Sequence, residues 1–271
     1  MLKLMYITNR PDVALIAEKA GVDRIFIDLE VLDKAKRQGG MDTVQSQHTL
    51  QDIKEIRKVL REAQLLVRCN HIYEESEKEI DAIISNGANI VMLPYFKSVI
   101  EVEKFLKYVN GRAKTCLLLE TPEAVNCLND ILELEGIDEI HIGLNDLHLG
   151  YGMKFMFELL ANGTVDCLAT KIKAKNIPFG FGGIARIGQG MLPAEIIIKE
   201  HYRLGSSMII LSRSFCNVEK VCNNNDVNQI FTLGIRQIRA QEKEAQKEEA
   251  GSRYFVLNNE LMKHKVREII K

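Results

Sequence analysis

Short apolar runs alternate with helix-length amphipathic stretches along most of this chain, and that alternation limits its fold more than any other feature. The runs fall near residues 3–8, at Arg24 to Leu29, at Gln64 to Cys69, near 89–93, at Cys116 to Leu119, at Ile140 to Gly143, near 177–182 and near 207–212. Stretches with helical spacing lie between them, near 11–20, 49–62, 74–86, 98–109, 122–132, 153–175 and 193–203, the sixth interrupted around Asn162-Gly163. Pro11 stands at a helix start, Gly21 and Gly87 just past helix ends, and Pro94 just past a strand, which is the punctuation such a rhythm needs. The runs are continuously apolar, as in strands covered on both faces of a parallel sheet. Eight such units in about 215 residues predict an α/β protein built as a (β/α)8 TIM barrel with a C-terminal helical extension.

Bulk properties narrow the function by exclusion. With 271 residues and 46% hydrophobic content the chain can build a sizeable core. Its 36 basic and 37 acidic side chains nearly cancel, so nucleic acid is not an expected partner. Six cysteines show no CxxC or Cys/His spacing and are read as reduced and mostly structural. The apolar opening residues are too few for a signal segment, and no run approaches the ~20 uncharged residues of a membrane span. A cytoplasmic protein without a membrane partner is therefore expected.

Composition changes after about residue 235, which sets the expected organisation as a barrel over 1–235 and an extension over 236–271. Mixed charges from Arg236 to Ala250 favour a solvated helix. Beyond Gly251, Leu257, Leu261, Met262, Val266, Ile269 and Ile270 recur at roughly helical spacing, so one stripe needs covering by the barrel or by another subunit. That stripe would offer a surface to a homo-oligomer.

Two carboxylates carry the chemistry. Glu120 and Asp146 each follow an apolar run and read as ends of successive strands. Parallel neighbours stand about 4.8 Å apart, so both acids can reach one divalent cation at the mouth of the sheet. Either alone is more often a helix cap or an ion-pair partner than a metal ligand. In a barrel the active site lies at the C-terminal ends of the strands, where Asp28 and Glu30, Arg68 and Asn70, Asn145, and Ser212 and Arg213 also fall. The run Gly180-Phe181-Gly182-Gly183-Ile184-Ala185 fits a dinucleotide fingerprint but follows the seventh strand instead of opening a first βαβ unit. Gly182 and Gly183 are instead candidates for a turn that lets backbone approach a phosphate or the distal part of a substrate.

Several blocks occur in a telling order: Ile25-Phe26-Ile27-Asp28-Leu29-Glu30, Val67-Arg68-Cys69-Asn70, Gly87 to Pro94, Leu119-Glu120-Thr121-Pro122-Glu123-Ala124-Val125, and Glu135 to Leu147 with its Gly143-Leu144-Asn145-Asp146-Leu147 core. Together they resemble the HpcH/HpaI aldolase and citrate lyase beta-subunit family over roughly residues 3–215. The resemblance implies a barrel enzyme, a class II aldolase, that makes or breaks a carbon–carbon bond beside a 2-oxo acid or an acyl thioester. It implies Glu120 and Asp146 as metal ligands, Arg68 on the oxygen that becomes an enolate, and the backbone at Asn145 and Asp146 as receiver of the substrate carboxylate. Asp28 and Glu30 would support Arg68. Mg²⁺ suits such a hard-oxygen shell, with Mn²⁺ or Co²⁺ as alternatives.

The chain departs from this pattern at Val31, where the aldolase branch has a histidine and the citrate lyase branch an acid. Proton transfer is then expected from His148, ranked first, or from His48, His71 or a metal-bound water. The leading expectation is a metal-dependent aldolase joining a 2-oxo acid such as pyruvate to an aldehyde. The alternatives are an acyl-CoA lyase of the citrate or malyl type, and a barrel that has lost catalysis and serves as a binding subunit.

Overall fold

The computed structural model describes residues 1–32, 47–218, 223–249 and 251–271. Eight parallel strands close on themselves in sequence order, so that β1 (Lys3–Ile7) pairs with both β2 (Arg24–Asp28) and β8 (Met208–Leu211). Between them run β3 (Gln64–Arg68), β4 (Ile90–Leu93), β5 (Lys114–Leu119), β6 (Glu139–Ile142) and β7 (Phe179–Ile184). The expected (β/α)8 barrel is the fold.

Each strand is buried on both faces, which is why its sequence reads as an unbroken apolar run. Ile25, Ile27, Leu65, Val67, Val91, Leu93, Leu117 and Leu119 point outward into the layer between sheet and helices. Their alternate neighbours Met5, Phe26, Leu66, Met92, Cys116, Leu118 and Met208 fill the barrel's interior. Period-two alternation carries the interior rows upward to Asp28, Arg68 and Glu120.

The surrounding helices are α1 (Pro11–Ala20), α2 (Leu50–Val59), α3 (Ser76–Ser85), α4 (Val99–Val109), the short pair α5 (Pro122–Asn126) and α6 (Leu128–Ile131), α7 (Leu144–Gly150), α8 (Glu158–Ala161), α9 (Thr164–Ala174), α10 (Ala194–Leu204), α11 (Asn224–Ala245) and α12 (Arg253–Ile269). Local chemistry fixes their starts. Thr49 and Ser98 form capping boxes with Asp52 and Glu101, each box contributing about 1 kcal/mol. The expected interruption near Asn162-Gly163 separates α8 from α9. Among the described residues no helix is long and apolar enough to cross a membrane.

The C-terminal region differs from its sequence-based description. Helix α11 packs between α1 and α10, closing the ring of helices, and the boundary expected after residue 235 falls inside it. The charged stretch is only partly solvated: Ile238 and Glu242 are fully buried. Glu242 accepts hydrogen bonds from the Leu2 amide, the Tyr202 hydroxyl and Arg239, while Arg239 also donates to the Leu2 carbonyl. A buried acid satisfied in this way looks like a surface glutamate in sequence. In α12, Phe255, Met262 and Val266 are buried whereas Leu257 and Leu261 are exposed, so the predicted stripe is split between two faces.

Candidate active site

A cavity of about 770 Å³ opens at the C-terminal end of the barrel. Asp28, His48, Arg68, Glu120, His141, Asn145, Asp146, Gly182, Gly183, Ser212 and Arg213 are among the residues that line it. Site residues read from the blocks on β2, β3, β5, β6 and β7 are thereby brought to one place.

Register explains the first pair. Asp28 and Arg68 are direct partners across β2 and β3, and both side chains point inward. Arg68 donates from Nε and Nη2 to the two Asp28 oxygens at 2.9 and 2.8 Å, a bidentate fork, and Nη1 lies 3.4 Å from Glu30. Phe26 packs beneath, its ring centroid 5.7 Å from the guanidinium carbon. Burial alone would lower the Arg68 pKa, but Asp28 and Glu30, with a lesser contribution from Glu120, hold it well above the ordinary value. The guanidinium is thus fixed in place and permanently charged. Glu30 is buried beside Arg68 and does not itself line the cavity.

Glu120 follows β5 directly and is buried. Its Oε1 accepts the Tyr95 amide at 3.0 Å, and Tyr95 adopts a left-handed φ of 49° that its bulky side chain disfavours. The next residue, Thr121, caps α5 through the Ala124 amide and donates to the Phe96 carbonyl at 2.7 Å, pinning the backbone beyond the acid. Gly143 supplies the space: a Cβ there would stand 2.8 Å from Glu120 Cβ and Oε2. Gly143 opens the Gly143 to Leu147 block, whereas Tyr95 lies just past the Gly87 to Pro94 block and is a contributor that sequence reasoning missed.

Asp146 is not at a strand end as expected. Strand β6 stops at Ile142, Gly143 caps α7, and Asn145 and Asp146 sit half-buried in that helix's first turn, facing the cavity. The same short helix corrects the ranking of histidines. His148 is buried, its Nδ1 3.2 Å from the Leu144 carbonyl of its own helix, and it is not on the cavity wall. Two residues of helix turn it to the face opposite the one that Asp146 presents. His71 is likewise off the wall, whereas His48 lines it and accepts the Asp28 amide on Nδ1 at 3.0 Å. Val31 is exposed, and Asn70 accepts the Val31 and Leu32 amides and donates to Glu79, so it clamps the loop after β2.

The glycine-rich run also has a packing explanation. Gly180 leaves no room for a Cβ against Met208 and His141. The register slips between Gly180 and Gly183 against Met208 and Ile210, a β-bulge in which Gly182 takes a φ of 52°. His141 Nε2 lies 3.1 Å from the Gly182 carbonyl. Since a carbonyl only accepts, the proton is on Nε2, and burial pushes this histidine's pKa down to about 4.

Among the described residues no group of three or more His, Cys, Asp and Glu side chains is arranged to hold a metal ion. The protein's share of a coordination shell at the cavity would be the two acids Glu120 and Asp146. Two hard oxygen donors facing a space of this size fit an ion that keeps most positions for water and substrate.

A sequence profile described as HpcH/HpaI aldolase/citrate lyase matches residues 3–157. No curated protein sequence matches the chain. Among solved structures, an HpcH/HpaI aldolase from Desulfitobacterium hafniense DCB-2 superposes with a TM-score of 0.61 at 15% identity, covering 78% of this chain and 86% of its own. A variant of the citrate synthase SbnG superposes with a TM-score of 0.56 at 17% identity, covering 78% and 85%. At these identities the structural likeness is one of fold.

Proposed function

The chain belongs to the HpcH/HpaI aldolase/citrate lyase family, and from that premise we propose that it is a metal-dependent carbon–carbon lyase that cleaves or forms a 4-hydroxy-2-oxo acid through a pyruvate-type enolate. One observation carries the reading: Glu120, Asp146 and the fixed guanidinium of Arg68 all face one cavity at the C-terminal end of the barrel.

Glu120 and Asp146 would hold the ion, with Mg²⁺ the first expectation; when bound, it would act as a Lewis acid on the substrate's 2-oxo and carboxylate oxygens. Arg68 places a second, immobile positive charge where the 2-oxygen gains negative charge as the carbon–carbon bond breaks. Because Asp28 and Glu30 already orient it, no reorganisation is needed at that moment. The first-turn amides at Asn145 and Asp146 receive the substrate carboxylate, as befits groups without an intrahelical acceptor. Gly182 and Gly183 let the substrate's other end approach the backbone. His48 handles a proton in a restricted sense: its Nδ1 accepts from the Asp28 amide, so the neutral ring carries its proton on Nε2 and presents a donor there.

The test is aldol turnover of pyruvate or oxaloacetate against a panel of aldehydes with Mg²⁺, Mn²⁺ or Co²⁺ present. Chelation and Glu120→Gln are each expected to abolish it. Full turnover after either treatment would overturn the reading, and thioester-dependent turnover in its place would favour the acyl-CoA lyase alternative.

A further inference from the structure

Strand β7 breaks the two-residue alternation that the other strands keep. Phe179, Phe181 and Ile184 all point into the layer between sheet and helices, so its outward positions are spaced by two and then by three. Gly180 faces inward, against Met208 and His141, and between Phe181 and Ile184 both Gly182 and Gly183 line the cavity. The extra residue is the bulge, where Gly180 and Gly183 pair with Met208 and Ile210. The ladder is intact on either side of it: the Ser207 amide donates to the Phe179 carbonyl and the Ser212 amide to that of Ile184, each at 2.8 Å. In a regular strand Gly183 would take the outward place and Ile184 would turn its side chain into the cavity, because a one-residue slip exchanges the faces. The bulge therefore decides whether this wall is two glycines or a branched side chain.

Packing permits the bend, and one hydrogen bond closes it. Phe181 is fixed from outside by His201 of α10, the two rings stacked 3.7 Å apart at 5°. Gly182 lies against Leu144, where a Cβ would stand 2.8 Å from Cδ1. The Gly182 carbonyl then accepts the Nε2 proton of His141 at 3.1 Å, reaching across from the inward face of β6. His141 Nδ1 is buried with no partner among the described residues, so the bond to Gly182 is the only one its ring makes there. A second proton would sit on that unanswered Nδ1, and burial and the nearby charge of Arg24 both oppose it. The ring is therefore a neutral, single-proton donor aimed at the carbonyl where the strand bends.

We propose that His141 is a positioning residue: by donating from Nε2 to the Gly182 carbonyl it latches the β7 bulge, and so sets how large a group the cavity admits beside β7. The proposal rests on the lyase reading for calling that group the tail of the acceptor aldehyde; the bulge and its latch stand apart from that reading. With the latch made, Gly182 and Gly183 leave the wall flat and an extended acceptor lies along it. Without the donor, the Gly182 carbonyl loses its acceptor role in the bend, the strand relaxes toward the regular register, and Ile184 competes with the acceptor for the same space. A short acceptor and the 2-oxo acid, held over Arg68, do not reach that wall.

The experiment has two arms and three variants. His141→Phe keeps a ring but has no donor, His141→Asn is too short to reach the carbonyl and stands in if the first does not fold, and His141→Gln can still donate. The first arm needs no turnover. Nitrogen-edited NMR of the wild-type protein at neutral pH should find the His141 proton on Nε2, and amide exchange over residues 179–184 should quicken about threefold to tenfold in His141→Phe, as loss of one neutral hydrogen bond warrants, but not in His141→Gln. In the second arm, with pyruvate as donor, the KM for hexanal should rise about threefold to tenfold in His141→Phe, while the KM for acetaldehyde and for pyruvate stays at the wild-type value and His141→Gln restores hexanal. A proton on Nδ1, exchange unchanged in both donor-free variants, or a KM ratio of hexanal to acetaldehyde that they leave unchanged would each overturn the proposal. If the wild-type protein turns over no aldehyde, the lyase reading falls, and the tautomer and exchange results decide the latch by themselves.

Discussion

The barrel holds an arginine–carboxylate pair near each end of its interior, and the two are built for different ends. At the lower end Arg24 donates to both oxygens of Glu139 at 2.6 and 2.9 Å, with the sulfurs of Met5 and Met208 close by, and the side chains are 0% and 4% exposed. One cation meets one anion in a sealed space. At the upper end Arg68 and Asp28 also make a bidentate fork, through Nε and Nη2 where Arg24 uses its two terminal nitrogens, but Glu30 and Glu120 also act on Arg68 and the cavity lies above. A two-bond fork therefore serves packing in one place and presentation of charge in the other. The difference is set by what surrounds the pair: sulfur and hydrocarbon below, further carboxylates and an opening above.

The sharpest break of that contrast is Arg24→Met. It strands Glu139 in the interior and should cost about 3–5 kcal/mol in urea unfolding, with Arg24→Met/Glu139→Leu recovering most of the loss; a cost near zero would mean the lower space is wet. Arg68→Lys tests the upper pair. A lysine cannot make the fork, so kcat for aldol turnover should fall about 10²-fold, while the urea midpoint moves less than in Arg24→Met. A stability loss equal to that of Arg24→Met would make the two pairs the same kind of object.

Gly143→Ala pushes a methyl group against Glu120 and should destabilise by about 1–3 kcal/mol while weakening metal binding measured by calorimetry. The last effect vanishes at neutral pH and is read only in acid. His141 lies between the two ends with a pKa of about 4 against an ordinary 6.5, so the unfolded chain binds the extra proton in that window. Stability is then fully present above pH 6.5 and falls by about 1.4 kcal/mol per pH unit toward 4. His141→Gln should flatten part of that acid limb in pH-dependent unfolding; an unchanged limb would assign it elsewhere, with His201, also held low by burial, the first alternative.

Strand-borne parts of the site were legible because strand alternation is a two-residue rule that survives folding. Asp28, Arg68 and Glu120 stand at inward positions whichever helix packs outside. Positions governed by a turn were harder. Asp146 and His148 belong to α7, whose seven residues are too few to show helical periodicity, so one acid was read at a strand end and one histidine on the wrong side. The Tyr95 amide reaches Glu120 only through a positive φ, which no residue type there announces. Glu242 shows the converse, an acid in a charged run that is wholly buried because the Leu2 amide and two side chains satisfy it.

That last contact sets a timetable for synthesis. Leu2, just before β1, is held by a side chain 240 residues further along the chain, and β1 obtains one of its two strand partners only when β8 exists. At ~5–20 residues per second on the ribosome, the first strand waits on the order of 10–50 s for its latch. During that interval β1 has one flank with no strand to pair with, and a nascent chain stalled before residue 208 would present that flank to a chaperone.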